Sequence, residues 1–429
     1  MNELPQSLSV TPPSGEESSA RGQRFQSSNG AREVAILLAC ARMRLEASDK
    51  VRIRELLDLK PDWDRLTSLA IFHRLTSFAY LHLSSLGTDE VPAQTLEFLK
   101  ARFYQNAGEA LRQTGELLKV LNLLNGNGIL AVPYKGPELA ARVYGNVALR
   151  WSCDLDIIVK RQDVPRARSL LEAVGFRPRH SISEAGQQFL VRNRHSDVFH
   201  RDGGPVIELH WAFTDGETSF PVGLEDLQPR LQECEMGGSK VKVFPLEDLL
   251  LILCVHGATH RWDRLEWLCG VAELIRGIEI DWERVLQQAA RHKVEKTLFL
   301  GLILAHDLLD APLPKIVVAQ ARTDRDVCSL SKFVKDTLAR GEIRQPQTQN
   351  TLQRDLFRLR LQSTFSDRMR YFFYRFTTPG RREDARHMVP LGKWSVPLPT
   401  LFRPFHVVGK VIRGSFSQWT SNDRSQRKQ

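Results

Sequence analysis

The sequence predicts an α+β fold in which a small mixed sheet is flanked by helical regions. Three observations predict it: apolar residues at helical spacing over 31–124, a change to short strand-like runs and glycine-stopped helices over 125–244, and a return to helical spacing over 245–340. At 429 residues the chain exceeds what one core usually organises, about 250 residues, so several domains are expected. Its 42% apolar and 26% charged residues exclude a fibrous or wholly disordered chain.

Residues 1–30 carry Pro, Ser, Gly, Glu and Gln without an apolar core, and are expected to form a disordered leader rather than a secretion signal. Residues 31–124 form a helical lead-in. Its runs "REVAILLACARMRLEA" and "WDRLTSLAIFHRLTSFAYLHL" carry apolar stripes, and a long helix begins after Pro92 and stops at Gly126 and Gly128. Residues 125–244 form the α/β core. "ILAVPY" is a strand, "KGPELAARVYG" a helix with Pro137 in its first turn, "LDIIV" a second strand, and "DVPRARSLLEAVGF" a helix capped by Asp163 and ended by Gly175. "QQFLVRN", "SDVFHR" and "PVIELHWAF" are predicted as antiparallel strands. Residues 245–340 form a helical domain, and 341–429 a basic, aromatic C-terminal region with a disordered end.

Apolar runs such as "VAILLACA" and "FPLEDLLLILCV" fall short of the roughly 20 residues that span a bilayer. Six scattered cysteines without a Cys-x-x-Cys pair read as buried thiols of a reducing cytoplasm, and Cys153 as a packed residue rather than a metal ligand. The net charge of +10 is concentrated in the tail, where residues 341–429 hold 17 Lys and Arg against 6 Asp and Glu, a net of +11. With "YFFYRF" and "LFRPFHVVGKVIRG" beside that charge, the tail is expected to be a peripheral contact with acidic phospholipid at the inner membrane face. The alternative is that its aromatics pack on the helical region while its arginines stay solvated. No specific nucleic-acid module is present, and Trp211, Trp262 and Trp267 read as packing residues.

The chemistry concentrates in "SCDLDIIV". Residues two apart on a strand share a face, with Cα atoms about 6.6–7 Å apart, so Asp154 and Asp156 point together while Leu155, Ile157 and Val159 enter a core. Two such carboxylates repel unless a cation lies between them. A hard divalent ion, Mg²⁺ or Mn²⁺, would take their oxygens together with phosphate oxygens of a nucleotide. Upstream, Lys135 and Gly136 stand between a strand and a helix, where backbone N–H groups can face an anion. Downstream, Glu208 is an acid inside the apolar strand "VIELHW" and can supply a third carboxylate.

These landmarks, "VPYKGPELAARVYGNVALRWSCDLDIIVKRQDVPRARSLLEAVGF", "VIELHW" and "LCVHGATHRWDRLEWLCGVAELI", resemble in order the uncharacterised bacterial nucleotidyltransferase family NTP_transf_5, a divergent branch of the DNA polymerase β-type superfamily. The resemblance extends over roughly residues 35–410. It implies that Gly136 opens a phosphate-holding turn, that Asp154 and Asp156 are the metal-binding pair and that Glu208 is the third acid. Better known superfamily members carry a serine after the glycine, where this chain has Pro137, which offers neither hydroxyl nor N–H. Lys135 would compensate as a point charge. Gly270 stands where the family commonly has aspartate.

Arg150 is a candidate for phosphate contact or for pairing with one of the acids. His210, two residues beyond Glu208, is a substrate contact or a satisfied histidine. His256 and His260, four apart, are expected to pack or line a pocket rather than bind metal. The expected function is Mg²⁺-dependent transfer of AMP from ATP, or of another NTP's nucleotidyl group, to a hydroxyl acceptor that is a small molecule, sugar or peptide. The resemblance places such proteins among polysaccharide and natural-product genes. The alternative is a non-catalytic nucleotide-binding or scaffold protein that retains the fold.

Overall fold

The computed structural model describes residues 31–87, 90–179, 183–215, 220, 222–277, 279–343, 351–377, 388–389 and 396–397. The leader at 1–30, the segment "LFRPFHVVGKVIRG" and the polar end lie outside the described residues.

Helices α1 (Ala31–Cys40), α2 (Ala47–Asp58), α3 (Trp63–Phe72) and α4 (Thr76–Leu83) lead into α5 (Ala93–Gly126). Asp62 starts α3 by accepting from the Arg65 N–H, satisfying one of the donors a helix start leaves open. Then follow β1 (Ala131–Pro133), α6 (Pro137–Tyr144), β2 (Asp154–Val159), α7 (Val164–Ala173), β3 (Arg177–Pro178), α8 (Glu184–Asn193), β4 (Ser196–His200) and β5 (Val206–His210). A short α9 (Leu224–Leu227) precedes the hairpin β6 (Gln232–Met236) and β7 (Ser239–Val243). Its turn is Gly237-Gly238, both at positive φ, as a two-residue hairpin turn demands. Helices α10 (Leu246–Thr259), α11 (Leu265–Gly277), α12 (Trp282–Arg291), α13 (Glu295–Leu309), α14 (Lys315–Thr323), α15 (Arg325–Ala339), α16 (Thr351–Arg360) and α17 (Phe365–Thr377) complete the described helices.

The fold is α+β, with a five-stranded sheet in the order β1-β2-β5-β4-β3, the separate β6–β7 hairpin and a short antiparallel pair of Met388–Val389 with Val396–Pro397. β2 and β5 run parallel; β1 with β2, β4 with β5 and β3 with β4 run antiparallel, so the sheet is mixed. One predicted strand is corrected. "QQFLVRN" lies in helix α8, because Ser183 accepts from the Gly186 N–H and caps a helix, and Gly186 and Leu190 bury at a spacing of one turn.

Two cores hold the sheet. On one face, Leu155, Ile157, Val159, Ile207 and Leu209 pack on Leu117, Val120, Leu121 and Leu124 of α5 and on Val164, Ala167 and Leu171 of α7. Full burial of each such side chain is worth about 1.5–3 kcal/mol. The other core joins α1, α3 and α4 to α10, α11, α13 and α15, and reaches the sheet through Val132, Tyr134 and Ile158. Trp262 is fully buried there, against Gly257 and Gly301, where an added Cβ would come within 2.3 Å and 2.9 Å of its ring. Trp211 is also buried and donates from Nε1 to the Arg194 carbonyl at 2.6 Å.

Among the described residues no helix is long and apolar enough to cross a membrane, and all six cysteines are free. In α17 the aromatic run divides. Tyr371 is buried and donates to Asp355 at 2.9 Å, and Tyr374 donates to the Asn193 carbonyl at 2.8 Å, while Phe372 and Phe373 are largely exposed.

Candidate functional site

The parallel register sets Asp154 opposite Val206, Asp156 opposite Glu208 and Ile158 opposite His210. Because side chains alternate along a strand, Asp154, Asp156, Glu208 and His210 share one face with Ile158 and Val206, and Leu155, Ile157, Val159, Ile207 and Leu209 take the other. Helix α5 pins the approach to β2: Asn106 donates to the Ala148 carbonyl at 2.6 Å and Gln113 to the Ser152 carbonyl at 3.1 Å. Gly136, the residue before α6, has φ +61°, and a Cβ on it would lie 3.3 Å from both the Asp154 carbonyl oxygen and Ser152 Oγ. Handedness and closeness both require glycine here, so the turn sits directly on the start of the two-aspartate strand.

Lys135 is buried and places Nζ 2.8 Å from Asp156 Oδ1 and 3.5 Å from His256 Nδ1. His210 Nε2 lies 3.0 Å from the same Asp156 oxygen and 3.7 Å from Glu208 Oε2, and Ser196 Oγ donates to Glu208 Oε1 at 2.7 Å. The two aspartates consequently differ. Burial and the Asp156 charge push the Asp154 carboxyl up to about 6, against the attraction of Lys135. Burial works against the Asp156 charge too, but Lys135 and His210 outweigh it and hold that carboxyl well below the usual range. Glu208, opposed by burial, is lowered by His210, Lys135 and Ser196. Burial lowers His210 against the pull of Glu208 and Asp156, and it holds His256 well below the usual histidine value, so the His256 imidazole is neutral at pH 7.

Arg150 does not reach this face. Its guanidinium lies 3.0 Å from Glu266 Oε1 on α11, and Arg74 pairs with the other oxygen at 3.2 Å while stacking over Trp151. Lys135, Gly136, Asp154, Asp156, Glu208 and His210 do come together. His256 on α10 and His260 just past its end have ring centroids 4.7 Å apart, both against Trp267, and His256 borders the site through Lys135. Gly270 packs behind α6, 3.8 Å from Leu139 and Tyr144 when a Cβ is built on it.

Sequence reasoning missed His195 and Asp215. His195 Nδ1 lies 2.6 Å from Asp215 Oδ1, and the ligand atoms of His195, Glu208 and His210 all fall within 4.8 Å of one another. These three side chains can coordinate a divalent metal ion. The only available signal was a histidine directly before the β4 strand in "RHSDVFH", which has no distinctive spacing to the acids.

With that geometry in place, comparison with known proteins is informative. The profile of the family described as "Uncharacterised nucleotidyltransferase" matches residues 60–310. The chain belongs to this family. The matched span is shorter at both ends than the resemblance read from sequence, yet it contains Lys135, Gly136, Asp154, Asp156, His195, Glu208, His210 and Asp215. Helices α14 to α17 lie beyond it. No curated protein matches the chain. Two solved structures are similar at 15% identity: the antibiotic-resistance factor ANT(2'')-Ia, covering 42% of this chain and 91% of its own with a TM-score of 0.31, and an antigenic nucleotidyltransferase-like protein from Paracoccidioides brasiliensis, covering 49% and 97% with a TM-score of 0.29. Neither likeness bears on chemistry. The site residues of this family member stand on its own geometry.

Proposed function

We propose that this nucleotidyltransferase-family protein transfers a nucleotidyl group, AMP from ATP, to a hydroxyl acceptor with Mg²⁺. The observation that carries the proposal is the in-register pairing of Asp156 with Glu208, with Asp154 on the same face, beside the Gly136 turn. Three carboxylates on adjacent positions form a hard oxygen donor set, which suits Mg²⁺ and also admits Mn²⁺. When bound, such an ion supplies neutralisation of phosphate charge and orientation of the reacting oxygens.

The chain's own groups supply the rest. Ala140 makes the first α6 hydrogen bond, to the Gly136 carbonyl at 3.1 Å, so the N–H groups of Glu138 and Leu139 precede the helix ladder. Pro137 has no N–H and adds none. These two donors, with the positive end of α6, are the backbone groups that would hold phosphate oxygens. Lys135 stays protonated because Asp156 and Glu208 favour its charge more than burial opposes it, and acts as a point charge beside them. Glu208, held ionised, is suited to holding a cation. Asp154, pushed up to about 6, is closer to the proton affinity a base requires.

A second reading, nucleotide binding without transfer, is favoured by one contact: Lys135 already occupies Asp156 at 2.8 Å, so the free site is partly self-neutralised. Incubating the protein with α-labelled ATP, Mg²⁺ and cell extract separates the two. Label should pass to an acceptor with the native chain and not with Asp154→Ala; equal labelling by both overturns the transfer reading. Magnesium-dependent ATP binding without any labelled acceptor supports the second.

A further inference from the structure

The second donor set beside the carboxylates has a different chemistry. His195 and Glu208 are half-buried and His210 is fully buried, and one ligand atom from each lies within 4.8 Å of the others. Each histidine is also held by a carboxylate on one nitrogen: His195 Nδ1 by Asp215 at 2.6 Å and His210 Nε2 by Asp156 at 3.0 Å. Neutral imidazole carries one N–H and one lone pair, so an N–H directed at a carboxylate leaves the other nitrogen as a lone pair. A carboxylate behind a histidine is the arrangement that orients a metal-binding imidazole and raises its basicity.

An independent observation points to a missing ligand. His210 Nδ1 is buried and has no hydrogen-bond partner. Buried polar groups are normally satisfied, and leaving such a bond unmade is costly, so the orphaned nitrogen calls for an electron-pair acceptor or a donor that the chain does not provide.

We propose that His195, Glu208 and His210 form a second metal site for a borderline divalent ion of the Zn²⁺ or Co²⁺ class, with Asp215 and Asp156 behind its two imidazoles. Two nitrogens and one carboxylate favour such an ion over Mg²⁺, which takes oxygen ligands and keeps its water. The site shares Glu208 with the Asp154 and Asp156 set. One residue therefore forms a wall common to a hard-cation position and a nitrogen-rich one. The inference does not depend on nucleotide transfer, because a metal can be held here whether or not the chain turns over.

The test uses the full chain stripped with EDTA and titrated with Co²⁺ alone, reading visible absorption, which reports nitrogen-containing low-symmetry coordination. The native protein should take up one equivalent with a band that Zn²⁺ abolishes. His195→Ala should lose the band, Asp215→Asn should weaken Co²⁺ binding by about 10–100-fold, and Asp154→Asn should retain the band. His195 is partly exposed, so its removal leaves the buried sheet face intact, and circular dichroism confirms folding. The proposal is overturned if the native protein shows no band, if the band survives His195→Ala, or if Asp154→Asn abolishes it. Absence of nucleotide transfer by the native protein, with the Co²⁺ titration as expected, would count against the transfer reading and not against this site.

Discussion

Strands β2 and β5 present two opposite interiors from one backbone. On the α5 side, Leu155, Ile157, Val159, Ile207 and Leu209 are fully buried and need only shape-matched neighbours. On the other side, Asp156 and His210 are buried almost as deeply, and their polarity is tolerable because Lys135, His210 and Ser196 answer the carboxylates at 2.7–3.0 Å. The first face is held by non-directional area, which any apolar group of suitable volume supplies. The second is held by specific partners, so removing one leaves the other stranded.

The sharpest way to break this comparison is to delete an answered charge. Asp156→Ala should destabilise the chain by about 3–5 kcal/mol, because it leaves the Lys135 ammonium buried beside a cavity. Urea unfolding gives the value; Lys135→Met added to it should recover part of the loss, and a double variant no better than the single would refute the account. On the apolar face, Leu155→Ala should cost about 3 kcal/mol through lost transfer energy and the cavity left behind, with no recovery from any charge change. A calorimetric loss below about 1 kcal/mol would show that α5 closes onto the sheet.

The smallest effect has the opposite sign. Asp154 keeps its proton up to about pH 6 in the folded chain, against an ordinary value of 3.8. The folded state therefore binds more protons between those values, and stability falls as pH rises from about 4 to about 6, the loss being complete above that. Asp156, with its carboxyl held low, contributes stability that is present above its ordinary value of 3.8 and is lost as pH falls below it toward the folded-state value. In EDTA, Asp154→Asn should stabilise the chain by about 1–2 kcal/mol at pH 7, after allowance for partial exposure, and by little at pH 4. A variant equally stable to the native protein at both pH values would show that Asp154 carries no stored repulsion.

Much of the site was legible because its signals are local. Alternation along "DLDIIV" and "VIELH" placed the acids on one face of each strand, and Gly136 between strand and helix marked the turn. Other local signals misled or were passed over. The apolar triplet in "QQFLVRN" suggests a strand although Ser183 stands in place to cap a helix, and Gly237-Gly238 is the short-range turn signature of the β6–β7 hairpin.

The sequence by itself determined which residues of β2 and β5 share a face, since a period of two needs no knowledge of neighbours. Only the tertiary structure decided that the two strands lie side by side with Asp156 opposite Glu208, that Arg150 turns to Glu266 and that His195 comes with Asp215 to the edge of the acids. The reason is physical. Alternation is a property of the backbone between adjacent residues, whereas strand order and register are chosen by the burial of two whole faces at once, from elements up to 54 residues apart in the case of Asp156 and His210.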